Sequence, residues 1–308
     1  MTEITAALVK QLRERTGAGM MDCKKALTET QAHFEAAIDW LRAKGLAAAA
    51  KKAGRTTAEG LVAVSLSPDR KTGAVLEINS ETDFVARNEA FCAYVKAVSA
   101  LAQNSQGDIR RLGEMPYGNG RTVAEELANL VAVIGENLSL RRVATLSAKG
   151  CVASYTHAAQ VLDMGKIGVL IGLTSDLPSE KLATLGKQIA MHIAANAPHA
   201  VSIENLDPSA VERERAVLME QTRSSGKPED IVAKMVEGRL RKFYEEVVLL
   251  EQPFVMDNDR KVKQVVAEAE KELGGRITVS SFVRFALGEG IEKRTADFAA
   301  EVAAQLRT

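Results

Sequence analysis

The sequence predicts an α+β protein in which a small helical module precedes a core of two related hairpin–helix–strand units. Three observations carry this prediction. Apolar residues recur at helical spacing as far as about residue 54, and from Gly60 the pattern changes to short apolar runs around a polar turn. The order hairpin, helix, strand then occurs twice. A charged helical stretch over 207–250 interrupts the second copy. The 308 residues suffice for two or three domains with sizeable cores. At 46% hydrophobic and 26% charged, the composition is that of an ordinary globular protein.

The elements follow in order. Thr5 supplies a helix cap, Leu8, Val9 and Leu12 share one face, and Gly17 ends the helix. Met20 to Thr28 forms a second helix. A third runs from about Phe34 to Lys44, with Phe34, Ile38 and Leu41 inward and Trp40 flanking, and the alanine-rich run from Leu46 to Lys52 reads as a linker. Leu61 to Leu66 and Gly73 to Ile78 make a β-hairpin around the polar turn Pro68 to Lys71. A helix capped by Thr82 or Asn88 reaches about Gln103, with Phe91, Tyr94, Val95 and Val98 inside. Residues 104–120, rich in Gly, Asn and Pro, read as a loop. Thr122 and Glu125 have capping-box spacing for a helix carrying Leu127, Leu130, Val131 and Ile134. Leu138 to Leu146 is then a strand, its apolar pattern interrupted by Arg141-Arg142.

Gly150 to Tyr155 and Gly168 to Leu173 echo the first hairpin, Ser179 to Ala195 its helix, and Gly275 to Phe285 its closing strand, which reads as a duplication. Between helix and strand, Asp207-Pro208-Ser209 caps a charged helix, and Ser224 to Pro228 turns the chain. A second helix to about Leu249 carries Ile231, Met235, Leu240, Phe243, Val247 and Leu250, so the pair reads as a projecting helical hairpin. Asp259 to Leu273 is an amphipathic helix. Gly288-Glu289-Gly290 breaks the chain before a terminal helix over Thr295 to Leu306.

Composition excludes several function classes. Forty basic residues balance forty acidic ones, which argues against a general nucleic-acid or membrane-surface binder. Cys23, Cys92 and Cys151 lie at wide spacing without CxxC, so neither a disulfide framework nor a zinc site is expected. The start carries an acid and no apolar core of a signal peptide, and no apolar run reaches spanning length; a cytoplasmic protein is expected. Gly17-Ala18-Gly19 before Lys24-Lys25 lacks the spacing and preceding strand of a phosphate loop and reads as a tight turn. His33, His157, His192 and His199 form no ligand pair. His192 reads as a satisfied core histidine, whereas His157 is either a contact residue or an ordinary loop histidine. Asp257-Asn258-Asp259 lacks the glycine and distal glutamate of a calcium loop and reads as a helix cap. No nucleophile, base and oxyanion donor come together, so an enzyme is disfavoured and neither cofactor nor metal ligand is expected.

One stretch, Glu77 to Asn88, closes a strand, opens a helix and places the aromatic Phe84 at the join. Aromatics make up only 4% of the chain, so Phe84 is either a core plug or a probe. Helical spacing to Phe91 and Val95 favours the plug.

Several motifs resemble the bacterial elongation factor Ts family, the guanine-nucleotide exchange factors of elongation factor Tu. They are Leu12 to Leu27, Asn79-Ser80-Glu81-Thr82-Asp83-Phe84-Val85-Ala86-Arg87-Asn88, Gly135-Glu136-Asn137, Gly165 to Leu170, Met235 to Arg239 and Gly288 to Lys293. The resemblance covers nearly the whole chain. It implies a ubiquitin-associated-like three-helix domain over 1–54 and a core N-subdomain over 55–147. A core C-subdomain over 148–206 and 251–287, a coiled-coil hairpin over 207–250 and a C-terminal module over 288–308 complete the implied organisation. It implies that Thr82, Asp83, Phe84 and Val85 reach the partner's magnesium and phosphate loop, so that coordination is lost, GDP leaves and GTP can be reloaded during translation elongation. Further contacts implied are Arg13 and Met20 in the first domain, Leu138 and Leu140, and His157, although the longer turn Ala158 to Met164 departs from the family's short glycine-containing one. The factor needs no cofactor and makes no bonds, contacts no nucleic acid or membrane directly, and binds elongation factor Tu with GDP or without nucleotide. The hairpin leaves two uses open, a homodimer contact and a partner contact. The alternative from another class is a holdase that grips a GTPase without driving exchange.

Overall fold

The computed structural model describes residues 4–118, 120–223 and 228–292. The turn residues 224–227 and the terminal helix expected over Thr295 to Leu306 lie outside the described residues.

Helices α1 (Ala6–Thr16), α2 (Met20–Glu29) and α3 (Phe34–Lys52) enclose a small core of Val9, Leu12, Cys23, Ala26, Leu27 and Ala37. Thr5 accepts from the Leu8 N–H, and Gly17, at φ 71°, closes α1 in the left-handed region where a side chain would be strained. The expected linker at Leu46 to Lys52 is instead the continuation of α3. Alanine is the strongest helix former, and Gly45 sits where a Cβ would come 3.7 Å from Ala132.

The first copy consists of β1 (Glu59–Leu66), β2 (Thr72–Ser80), α4 (Glu89–Ala102), α5 (Ile109–Glu114), β3 (Pro116–Gly118), β4 (Arg121–Thr122), α6 (Val123–Ile134) and β5 (Leu138–Ser147). Residues 104–120, expected as a loop, hold a real helix, because Asp108 accepts from the N–H groups of Arg110 and Arg111 and Leu112 is fully buried. The second copy contains β6 (Cys151–His157), β7 (Met164–Gly165), β8 (Ile167–Thr174) and α7 (Ser179–Asn196). The insertion α8 (Pro208–Arg223) and α9 (Glu229–Val247) follows, and then β9 (Pro253–Phe254), β10 (Asp257–Lys261), α10 (Val262–Leu273) and β11 (Thr278–Ala286). Asp257 to Asp259 is therefore strand rather than helix cap, and α10 starts where the Lys261 N–H donates to Gln264 at 2.7 Å. On α9 the buried face is Val232, Val236 and Leu240, one residue round from the expected Ile231 and Met235. A residue spacing of four keeps the three on one stripe.

The sheets run in the order β5-β2-β1-β7 and β11-β8-β6, antiparallel throughout. They stack face to face with helices outside, so the strands are buried on both sides. Leu61, Ala63, Ala74, Leu76 and Ile78 face α4 and α6, while Val62, Val64 and Val75 meet Val152, Leu170 and Phe285 of the other sheet. Two-sided burial explains runs that read as continuously apolar. It also explains why glycine recurs in both copies: across the sheets, a Cβ on Gly168 would lie 2.7 Å from Val62, and one on Gly73 3.1 Å from Val152.

One carboxylate joins the copies. Glu77 points between the sheets and is fully buried. It accepts from Arg141 Nη1 at 2.8 Å, Arg142 Nε at 2.6 Å, Asn79 Nδ2 at 3.0 Å and the Gly288 N–H at 2.8 Å. Adjacent strand residues normally face opposite sides. Here Glu77 pairs with Arg142 and Ile78 with Leu140, so Arg141 is bulged and both guanidiniums reach the same group. Arg142 also stacks on Phe285, 4.1 Å from its ring centre, and donates to Ala286 O at 2.9 Å. Burial pushes the Glu77 carboxyl up, but bonds from Gly288, Asn79 and the two arginines outweigh it and hold it below the ordinary glutamate range.

Glu77→Ala should lower unfolding stability by about 3–5 kcal/mol in chemical denaturation, since it strands two partnered arginines. The depressed carboxyl contributes stability above its unfolded value of about 4.3, and that contribution is lost as pH falls through the lower folded value. The stability gap between parent and Glu77→Gln should therefore hold at neutral pH and narrow in acid below about pH 4.

Candidate partner-binding tip

The site is built at the end of β2, where sheet ladder gives way to a tight turn. Ser80, the last residue of β2, pairs with Leu138 and donates its hydroxyl to Thr82 O at 2.8 Å. Asp83–Arg87 then forms a five-residue 3-10 helix. Val85 and Ala86 turn into the core at 4% and 2% exposure, and the Cys92 thiol donates to Ala86 O at 3.2 Å. Asn88 caps α4 by accepting from the Phe91 N–H at 3.1 Å.

Phe84 points the other way and is 77% exposed. The expected helical phase with Phe91 and Val95 fails because α4 begins only at Glu89. The turn before it winds at three residues per turn rather than 3.6, which breaks the phase. Asp83 beside it is exposed, and its carboxylate makes no hydrogen bond or ion pair among the described residues. The tip therefore offers an aromatic ring and an adjacent carboxylate to solvent on a backbone held from behind.

The holding groups come from distant sequence. Glu136 accepts from the Thr82 N–H at 2.9 Å and from Thr82 Oγ1 at 2.7 Å. Glu81 Oε1 accepts from the Asn137 N–H at 2.5 Å and from Arg55 at 3.4 Å. Asn137 Nδ2 returns a bond to Arg55 O at 2.8 Å. Reading the sequence missed Glu81, Glu136, Asn137 and Arg55 as a clamp. Its only trace was the Gly135-Glu136-Asn137 motif, some fifty residues from the tip and without an assigned role.

The other expected contacts divide. Leu138 and Leu140 lie beside the tip, opposite Ser80 and Ile78. Leu138, however, is only 6% exposed and packs in the core under the turn, so its side chain is placed to support the surface rather than form it. Leu140 is half-buried. Arg13 is exposed on α1, and Met20 is 48% exposed at the start of α2. The three-helix module that carries them docks on the core chiefly by packing α3 against α6. There Arg42 pairs with Glu125, Asn129 Nδ2 donates to Thr16 O at 3.4 Å, and Lys52 Nζ donates to Gly135 O at 2.6 Å. His157 ends β6 in the second sheet, exposed and 3.3 Å from the Tyr155 hydroxyl. Residues 158–164 lead into β7, which pairs with the free edge of β1 at Val62 and Ala63.

Among the described residues, no group of three or more His, Cys, Asp and Glu could hold a metal ion. His192 is the satisfied core histidine expected: Nε2 lies 2.8 Å from Gln252 Oε1, Nδ1 accepts from the Val255 N–H at 3.1 Å, and burial lowers its pKa. Burial pushes the thiols of Cys23, Cys92 and Cys151 up, away from thiolate chemistry. The groove of about 820 Å³ between β1, β6 and α7 has Asp163 as its one carboxylate and neither histidine nor cysteine. No described helix is long and apolar enough to cross a membrane.

Phe84→Ala should leave stability within about 0.5 kcal/mol of the parent, as for an exposed substitution. Val85→Ala, one residue on but buried, should cost about 2 kcal/mol. Thermal unfolding of the two variants side by side checks the pair.

The family model described as Elongation factor TS matches residues 81–289, a span that starts at Glu81 and ends at Glu289. The chain is 61% identical over 305 residues to Elongation factor Ts of Rhodospirillum centenum, covering 98% of this chain and 99% of that relative. It is 58% identical to Elongation factor Ts of Rhodospirillum rubrum over 310 residues, with 100% of both covered. It is 57% identical to that of Maricaulis maris over 309 residues, covering 99% and 98%.

Proposed function

The chain belongs to the elongation factor Ts family, and from that premise we propose that it releases GDP from elongation factor Tu by inserting the Asp83-Phe84 tip beside the partner's magnesium and phosphate loop. The observation that carries this is Phe84, a large aromatic left 77% exposed on a turn anchored on both sides. Such a ring contributes nothing to the free fold. Against a partner it can act as a wedge, with the Asp83 carboxylate leading charge into a region that holds a divalent cation and phosphates.

The mechanism is displacement. Magnesium and backbone amides hold most of a diphosphate's charge, so a small shift of those groups weakens nucleotide binding strongly. Linkage requires nucleotide and exchange factor to weaken each other by the same factor. The resulting nucleotide-free complex is then open to GTP. Val85 and Thr82 anchor the wedge, Leu140 flanks it, and Arg13, Met20 and His157 provide contacts elsewhere that hold the partner while the tip acts. The domain organisation inferred above supports this division of labour: an N-terminal helical module and a second sheet for grip, and the first sheet for the tip.

Fluorescent GDP bound to elongation factor Tu gives the test. The parent should accelerate release at sub-stoichiometric concentration, and Phe84→Ala should slow that release by about tenfold, the loss of one good aromatic contact of about 1.4 kcal/mol. Tight binding without acceleration would instead identify a holdase. Equal release by parent and Phe84→Ala would remove the wedge from the mechanism.

A further inference from the structure

The turn at Gly135-Glu136-Asn137, between α6 and β5, holds the tip from behind. A single carboxylate there takes both donors of the residue preceding Asp83: the Thr82 N–H at 2.9 Å on Glu136 Oε2 and the Thr82 hydroxyl at 2.7 Å on Oε1. Thr82 is extended, with φ −122° and ψ 159°, and its side chain does not cap the 3-10 helix it begins. Its N–H and hydroxyl are thus held by Glu136 rather than by the turn, while its carbonyl accepts from the Ser80 hydroxyl at 2.8 Å. Downstream, the first core anchor is Val85, beyond Phe84. The two exposed residues of the tip therefore hang between the Thr82–Glu136 pair on one side and Val85 on the other.

We propose that Glu136 is a positioning residue for nucleotide exchange, fixing the direction in which Asp83 and Phe84 leave the end of β2. The proposal rests on the reading that Phe84 is the wedge. Bonds to an ionised acceptor are shorter and stronger than neutral ones, and two of them to one residue fix rotation as well as position. The partner of Glu136 is a half-buried threonine, so the pair is screened less than an open surface contact. Removing the carboxylate leaves the Asp83 and Phe84 side chains and the contacts expected outside the tip unchanged, but it releases the Thr82 N–H and hydroxyl and leaves the Ser80 bond to Thr82 O as the remaining tie. Insertion of the ring, which depends on aim, then suffers, while docking through the other surfaces does not. A misplacement on the order of 1 Å can reduce a rate by about 10²-fold even when no reacting group is removed.

The experiment uses the full chain with elongation factor Tu loaded with fluorescent GDP, titrating the factor to saturation. For Glu136→Ala, the saturating release rate should fall about tenfold or more, while the half-saturating concentration stays within about threefold. Glu136→Gln keeps one acceptor oxygen and should recover part of the rate. Thr82→Val combined with Glu136→Ala should cost less than the sum of the two single changes, because both remove one interaction. Should Glu136→Ala not fold by circular dichroism, Glu136→Gln and Thr82→Val carry the test, each expected below the parental saturating rate. A Glu136→Ala variant at the parental rate while Phe84→Ala is slow would overturn the positioning role and leave the wedge standing. A change confined to the half-saturating concentration would also overturn it, since that marks grip rather than aim. Parental rates for both variants would overturn the wedge and the positioning role together.

Discussion

The buried carboxylate of Glu77 is the interaction on which the core depends. An ionised group with no exposure is costly unless its lone pairs are filled. Four donors fill them here, two guanidiniums, one amide and one backbone N–H. They come from both repeats: Arg141 and Arg142 from β5 of the first, and Gly288 from just beyond β11 of the second. Apolar packing alone would hold the two sheets together without fixing how one lies on the other. The carboxylate adds a register point, because its donors meet only when β5 is bulged and the chain after β11 turns back over β2. Glu289 extends the network, pairing with Arg142 and with Arg284.

The same strand carries the tip. From Glu77, β2 runs through Asn79, which bridges to Glu59 O at 3.1 Å, and Ser80, which bonds Thr82 O, directly into the 3-10 turn. Even-numbered residues of the strand, Leu76 and Ile78, pack under α4 and α6, while Glu77 and Asn79 lock the opposite face. A strand fixed on both faces ends as a rigid post. The clamp of Glu136, Asn137 and Arg55 then meets that post from the turn between α6 and β5 and from the segment that joins α3 to β1. In the proposed displacement the tip has only shape and charge to offer, so rigidity behind the exposed residues matters more than the chemistry of any one of them.

Much of this fold was legible in the sequence, and the misses have physical causes. The repeat was readable because glycine must recur where the sheets approach, at Gly73 and Gly168, and the capping box at Thr122 and Glu125 was readable because it is local. The extension of α3 was missed because the expected helix ended at Lys44 and the alanine-rich run after it read as a linker. What holds that run is tertiary, its packing on α6, where Gly45 faces Ala132. The arginine pair was seen as a flaw in a strand pattern, and only the bulge opposite Glu77 shows why two adjacent arginines belong there. Phe84 was noticed, but its spacing to Phe91 and Val95 argued for burial on the assumption of one continuous helix. The switch from 3-10 turn to α-helix at Asn88 is what turns the ring outward. The Thr82–Glu136 contact spans fifty-four residues and leaves no periodic signal.

An exposed ring on a rigid support has a thermodynamic consequence that a buried one lacks. Phe84 contributes almost nothing to the free fold, so nearly all its apolar surface remains to be buried against another molecule. At roughly 25 cal/mol per Å², full burial of such a side chain is worth about 2–3 kcal/mol. If that burial is reached only in the displaced state of the partner, the gain directly favours that state, since a ligand shifts an equilibrium only by its differential affinity. About 2–3 kcal/mol corresponds to an upper limit of roughly thirty- to a hundred-and-fiftyfold in the partner's hold on its nucleotide, reached only if the whole ring is buried. The turn must then be ordered before contact, because ordering it on binding would draw on the same free energy. The two bonds to Glu136 and the burial of Val85 meet that requirement in the free chain.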